Sequence, residues 1–319
     1  MAYATGVTTS PVDFLTQIET FAAANGWTVA TGGTGGDSPL GQVSMSSDGI
    51  FVNAIAEAAS NRIRSMIATG YASGTQFYAQ TGAAGGGSST VSTHTVLGLL
   101  SGMSSNNYYL FGNTSSPRYV HAVLEIAAGK FLHWMFGTCT KYGTYTGGGY
   151  NTCLYWDPST NVGIHVPFGW RPAVTQCTSY VRADSLLGGG SPQWKKDLGF
   201  LMYNSGLGAQ NMTPILAAPG LNNLTMRSHL LPNFLKIEQT ETGGVQNNIV
   251  IGHTPDLRFL SMDGRAPKDE LTIGTDTWKV FPVYTKWPSP ASGSNVFLIP
   301  QGTAPNSHSS LAGLAYRKF

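Results

Sequence analysis

Tyr119-Val120-His121-Ala122-Val123-Leu124-Glu125-Ile126 runs into Ala127-Ala128-Gly129-Lys130 and then into Phe131-Leu132-His133-Trp134-Met135-Phe136. Both flanks are rich in β-branched and aromatic residues, which fit a pleated, half-buried surface, and the short connection contains a glycine. The spacing predicts a β-hairpin with strands over 118–126 and 130–136. The same texture extends outward: short runs rich in Val, Ile, Tyr, Phe and Thr alternate with clusters of Gly, Asn, Ser and Pro. Further strands are expected over 49–56, 61–68, 107–111, 162–166, 200–203, 234–239, 247–251, 257–261, 270–273, 277–284, 296–299 and 311–317. Over 52–68 a continuous helix competes, because Ala54, Ala56, Ala58 and Ala59 favour one.

The chain opens differently. Ser10 is placed to cap, Pro11 fits a first helical position, and Asp13 stands three residues after Ser10 in the capping-box register. Phe14, Leu15, Ile18, Phe21 and Ala22 then recur at helical spacing until Asn25-Gly26. This predicts an amphipathic helix over 11–25 whose buried stripe, Phe14, Leu15, Ile18 and Phe21, packs on the body or on a neighbouring copy. Trp27-Thr28-Val29 reads as a first strand. The fold class expected is mainly β (α+β): an N-terminal amphipathic helix followed by a large antiparallel β-sandwich-like body with long Gly/Ser-rich loops. Residues 1–30 form the helix and first strand and 31–319 the β-rich body, with a soft boundary near 185–192. Tracts at 81–90 and 185–192 read as surface loops or linkers.

Composition narrows the partners. Only 11% of the 319 residues are charged and the net charge is +2, so the concentrated basic field that nucleic acid requires is not expected. Hydrophobic residues make up 41% of the chain, enough to build a core. The start Met1-Ala2-Tyr3-Ala4-Thr5-Gly6 does not read as a signal peptide, and no apolar run reaches membrane-spanning length, so a soluble product made in a cytoplasm is expected, with no membrane insertion. Cys139, Cys153 and Cys177 are odd in number and read as reduced thiols, a Cys139–Cys153 bridge being the minority alternative.

The chemical motifs dissolve on inspection. Gly36-Asp37-Ser38-Pro39 starts like a lipase block, but Pro39 departs from the pattern and no Asp-x-x-His follows. The seven histidines form no His-Glu-x-x-His arrangement. His121 and His133 lie on facing strands of the proposed hairpin without a third metal ligand. Asp256, Asp263, Asp269 and Glu270 do not match a calcium loop. Glu125, Asp157, Asp184, Glu238 and Glu241 are carboxylates that a glycan hydrolase needs in a close pair, but nothing in the sequence brings two together. No catalytic, cofactor or metal residue is therefore assigned, and no cofactor is expected. The aromatic stretch Tyr142, Tyr145, Tyr150, Tyr155, Trp156, Phe168 and Trp170 reads either as core and subunit contact or as a platform for sugar rings.

Phe14 to Val29, FLTQIETFAAANGWTV, resembles the opening helix and strand of a family of structural proteins encoded among the virion genes of tailed bacteriophages. Further blocks agree in order: 108–111 with 119–126, then 131–137 leading to 141–148, then 269–273 through 280–284, with 311–316 as a closing strand. The Ala-rich segment 54–59 and the glycines at 85–87 depart from the pattern. The resemblance implies a virion structural subunit of the neck or collar, the tail or the baseplate, assembled as a symmetric oligomer with other copies of itself and other virion proteins. The alternative is a receptor- or glycan-binding module of a tail tip or fibre, contacting a host surface glycan through Tyr142, Tyr145, Tyr150, Tyr155, Trp156 and Trp170. A third expectation, a cell-wall or capsule hydrolase, would depend on Glu125, Asp157 or Glu238.

Overall fold

The computed structural model describes residues 1–32, 41–89, 94–98, 106–127, 130–153, 155–157, 162–164, 180–184, 194–195, 202–204, 212–214, 231–240, 246–262, 265–282 and 312–318. In chain order these form β1 (Ala2–Thr8), α1 (Pro11–Ala24), β2 (Thr28–Thr31), β3 (Val43–Ser47), β4 (Ile50–Glu57), β5 (Arg62–Ala68), β6 (Thr95–Gly98) and β7 (Asn106–Gly112). Next come β8 (Tyr119–Ala127), β9 (Lys130–Thr138), β10 (Thr140–Lys141), β11 (Gly147–Cys153), β12 (Tyr155–Asp157), β13 (Val162–Ile164), β14 (Tyr180–Ala183) and β15 (Trp194–Lys195). The last are β16 (Met202–Asn204), β17 (Met212–Pro214), β18 (Leu231–Thr240), β19 (Gln246–Ser261), β20 (Glu270–Ile273), β21 (Asp276–Pro282) and β22 (Ala312–Arg317). The protein is mainly β, with antiparallel sheets and one α-helix among the described residues.

The hairpin β8–β9 lies at the middle of a seven-stranded sheet ordered β1-β7-β8-β9-β11-β14-β15. Its register pairs Tyr119 with Gly137 and Leu124 with Leu132, with an irregularity between Glu125 and Ala127. Both faces of this sheet are buried. Leu110, Val120, Ala122, Leu124, Leu132, Trp134 and Phe136 join one core with α1 and the five-stranded sheet β2-β3-β4-β5-β6. The alternate residues Phe111, Tyr119, Val123, Phe131 and Met135 join a second core with β19, β21 and β22 of the six-stranded sheet. Because side chains alternate across a strand, near-continuous apolar runs are what a sheet covered on both sides requires.

Helix α1 starts where the sequence places it. Ser10 Oγ accepts from Asp13 N at 3.1 Å, and Asp13 Oδ2 reaches back to accept from Thr9 N at 3.0 Å and from the Thr8 hydroxyl at 2.8 Å. Reciprocal bonds of this kind satisfy donors that a helix start leaves orphaned. Phe14, Leu15, Ile18, Phe21 and Ala22 are all buried in the first core. Residues 1–30 thus belong to the layered body: β1 pairs antiparallel with β7, from Ala2 opposite Gly112 to Thr8 opposite Asn106.

The strands expected over 49–56 and 61–68 form, as β4 and β5, and the competing helix over 52–68 does not; they are joined at a turn where Asn61 has φ 48° and its N–H bonds Ala58 O. Alternation there buries Val52, Ala54 and Ala56, and packing overrides the helix preference of alanine. Other expectations need correction. The strands expected at 247–251 and 257–261 are one strand, β19. Asp256, at φ 53°, interrupts it without ending it: β10 pairs with Gly252 and His253 before it and β22 with Leu257–Ser261 after it, while β18 pairs with residues on both sides. The strands β1, β3, β6 and β11 were not expected at all. Within 81–90, residues Ala84–Gly87 form a 3-10 turn. Ser38, Cys177, the 296–299 strand and the 185–192 tract lie outside the described residues.

Close packing and a left-handed backbone coincide at Gly137, which has φ +149° opposite Tyr119 and Tyr150. A Cβ there would stand 2.5 Å from both Arg118 O and Tyr119 Cα. Gly137→Ala is expected to cost about 2–4 kcal/mol, from backbone strain and overpacking together. Urea unfolding of the variant checks this; an unchanged midpoint would contradict the register.

Candidate functional site

The densest set of chemically versatile side chains lies in the second core, where the seven-stranded and six-stranded sheets meet. Cross-strand register carries Tyr119, His121, His133 and Tyr150 to one face, and β22 brings Tyr316 against them. His121 Nε2 is 2.7 Å from the Tyr150 hydroxyl. His133 Nε2 lies 3.3 Å from the Pro282 carbonyl, which only accepts, so this nitrogen carries the proton. His133 Nδ1 then accepts from the Tyr316 hydroxyl at 2.5 Å. The Tyr316 ring stacks on Phe111 at 4.9 Å and on His133 at 5.8 Å.

One end of this cluster leads to charged groups. Tyr119 donates its hydroxyl proton to Asp256 Oδ2 at 2.9 Å, and Arg317 Nη1 donates to Asp256 Oδ1 at 3.2 Å. Arg317 Nη2 continues to Asp276 Oδ1 at 2.5 Å. The left-handed turn at Asp256 is what aims its carboxylate back at both partners.

Burial sets the protonation states. It lowers both His121 and His133 to about 3, with the His133 neighbour a further cause for His121. Burial also raises the hydroxyls of Tyr150 and Tyr316 well above the phenol range, and raises Tyr119 with help from Asp256. At neutral pH the imidazoles are therefore neutral and the phenols protonated. Such groups hydrogen-bond firmly and exchange protons poorly, and all five side chains are shielded from solvent. The cluster acts as a polar lock between two sheets. Its pairing of His121 and His133 on one face follows the sequence expectation; Tyr316, far along the chain, carried no sign in the sequence of its role here.

The aromatic stretch divides. Tyr145 and Tyr150 are buried, which corrects their assignment as glycan contacts. Tyr145 donates to Ile251 O at 3.0 Å and lies 3.3 Å from Cys139 Sγ, while Tyr150 holds His121; both rings are needed inside the second core. Tyr142 is 47% exposed, and its hydroxyl lies 3.0 Å from His253 Nδ1. Tyr155 and Trp156 lie on β12, which pairs with β13, and Trp170 and Phe168 lie outside the described residues.

Glu241 and Asp263 lie outside the described residues, and four of the other candidate carboxylates have structural partners. Glu125 accepts from Asn107 and Lys268, Asp184 pairs with Arg182, Glu270 pairs with Lys279 and Lys318, and Asp269 accepts from Ala266 N. Cys139 and Cys153 are both free thiols, and they face opposite cores of the seven-stranded sheet, which rules out the bridge. Among the described residues no three His, Cys, Asp or Glu side chains are grouped to hold a metal ion. No helix there is long and apolar enough to cross a membrane. No protein-family model matches the sequence, and no curated protein matches it.

Proposed function

We propose that the chain is a structural subunit of a tailed bacteriophage virion, at the neck or collar or in the tail or baseplate, built as a β-sandwich-like body that assembles into a symmetric oligomer. The observation that carries this reading is where the phage-like segments fall. Residues 14–29, 108–111, 119–126, 131–137 and 312–316 supply the buried stripe of α1, the middle strands β7, β8 and β9, and the closing strand β22, while 270–273 and 280–282 fall on the edge strand β20 and its neighbour β21. Most of these segments contribute to the two cores that hold the layers together, as expected of a rigid building block. The histidines and phenols at the inter-sheet seam serve the same end. A low charge density limits repulsion between packed copies.

Contacts with neighbours would use the sheet margins. Strand β1 is an edge of the seven-stranded sheet and exposes Val7 at 52%, and β20 is an edge of the six-stranded sheet and exposes Ile273 at 50%. Edge strands offer unpaired backbone groups to another chain. Among the described residues, the alternative, a receptor- or glycan-binding module of a tail tip or fibre, is favoured by the exposed ring of Tyr142 beside His253.

Immunogold labelling of purified parent particles tests the first reading: label is expected at the head-to-tail junction or on the tail. Label confined to the far tip, with glycan-array binding that Tyr142→Ala abolishes, would favour the alternative. No label on intact or disrupted particles would remove the virion reading.

A further inference from the structure

The outer face of the five-stranded sheet carries polar groups that the protein itself does not satisfy. Register puts Ser44 directly opposite Asn53 and on the face away from Val43, Met45, Val52 and Ala54. Gln42, two residues before Ser44, shares that face. All three are buried, with exposures of 0% for Gln42, 2% for Ser44 and 0% for Asn53. Yet Gln42 Nε2 and Oε1, Ser44 Oγ, and Asn53 Nδ2 and Oδ1 make no hydrogen bond to any protein group. Five such atoms side by side are exceptional, because buried polar groups are nearly always paired and each orphan is costly.

The neighbours explain the enclosure. Tyr71 donates its hydroxyl proton to Gly32 O at 2.6 Å, and Gly32 N donates to Gln42 O at 3.1 Å. Farther along the same face Arg64 lies under the Phe77 ring, 5.1 Å from its centroid. The 69–89 segment that carries Tyr71 and Phe77 is tied to itself by Gln80, which bonds Ala72, Thr75 and Gln76. The segment therefore covers the orphaned face.

From this geometry we infer that Gln42, Ser44 and Asn53 line an internal site that holds a neutral guest rich in O–H groups. The donor set decides the chemistry. Each carboxamide offers two N–H donors and a carbonyl acceptor, and the serine hydroxyl offers both roles, so a guest must accept and donate at once. A carboxylate or phosphate only accepts, and an ammonium only donates. Among the described residues, the charges farther along this face are compensated: Glu57 is held by Arg62 and Arg64, and Arg64 also lies 3.3 Å from His94 Nδ1. Two sources fit, ordered water, about two molecules at roughly three bonds each, or the hydroxyls of a small polyol or sugar.

The test uses the whole chain. Nuclear Overhauser transfer from long-lived water to the side-chain amides of Gln42 and Asn53 is expected if water fills the site. An added mass in native mass spectrometry, released on denaturation, is expected if a polyol or sugar does. Asn53→Leu keeps the shape but leaves guest, Ser44 and Gln42 without a partner, and should raise the unfolding equilibrium constant at least tenfold; Ser44→Ala, should the first variant not fold, should raise it several-fold. Neither water transfer nor added mass in the wild type, or a leucine or alanine variant more stable than the wild type, would overturn the proposal.

Discussion

Phe14→Asp combined with Ile18→Asp is expected to yield no folded protein. Both side chains are fully buried on the face of α1 that shares a core with the seven-stranded and five-stranded sheets. Phe14 lies 6.1 Å from Tyr108, ring to ring, and Phe21, two turns on, is close enough to Gly112 that a Cβ there would meet it at 2.9 Å. Truncating each apolar side chain costs about 2–5 kcal/mol in lost transfer and cavity energy. Each unpaired buried carboxylate adds several kcal/mol more. The sum is comparable to or larger than the whole stability of a typical protein, about 5–15 kcal/mol. Near-UV circular dichroism and gel filtration of the double variant check this. Native-like spectra and a native elution volume would mean that α1 is not integral to the body.

Acid should unfold the protein well above the carboxylate range. His121 and His133 are neutral in the fold down to about pH 3, whereas in the unfolded chain they take up protons from about pH 6.5 downward. Between those limits the unfolded state binds more protons, so stability is full above pH 6.5 and falls as pH drops through the window. Each histidine withdraws about 1.4 kcal/mol per pH unit, and the pair together about 4 kcal/mol between pH 7.5 and 5. His94, lowered to about 4 by burial, acts in the same direction. Glu270, held below its ordinary value by Lys279, withdraws its contribution only under about pH 4 and does not enter this comparison. Urea midpoints at pH 7.5 and 5 should differ strongly, and His121→Gln with His133→Gln should be less stable at pH 7.5 but flatter with pH. Equal wild-type midpoints would mean that the two imidazoles are charged in the fold.

Legibility in the sequence followed the range of the interaction. The helix boundary was readable because Ser10, Pro11 and Asp13 act on their own neighbours. The β8–β9 hairpin was readable because its two strands and its glycine-containing turn are adjacent in the chain. Strand β11 was missed because its first three residues, Gly147, Gly148 and Gly149, carry no strand propensity. In the fold, Gly149 is the point where the seven-stranded sheet presses on Ile50 and leaves no room for a Cβ. Strand β1 was missed because its partner, β7, is about a hundred residues away and its own sequence, Ala2–Thr8, carries little apolar alternation.

The sequence by itself determined the helix, the β character, the low charge and the central hairpin, since propensity, capping and period are properties of neighbouring residues. Tertiary structure alone decided that the hairpin is covered on both faces, that Tyr145 and Tyr150 are core and Tyr142 surface, and that Cys139 and Cys153 face opposite cores. It alone joined His133 to Tyr316 across 183 positions and set Ser44 and Asn53 side by side under the 69–89 segment. The physical reason is that burial and the pairing of polar groups depend on which distant strands the chain brings together, and no local pattern of residues records that choice.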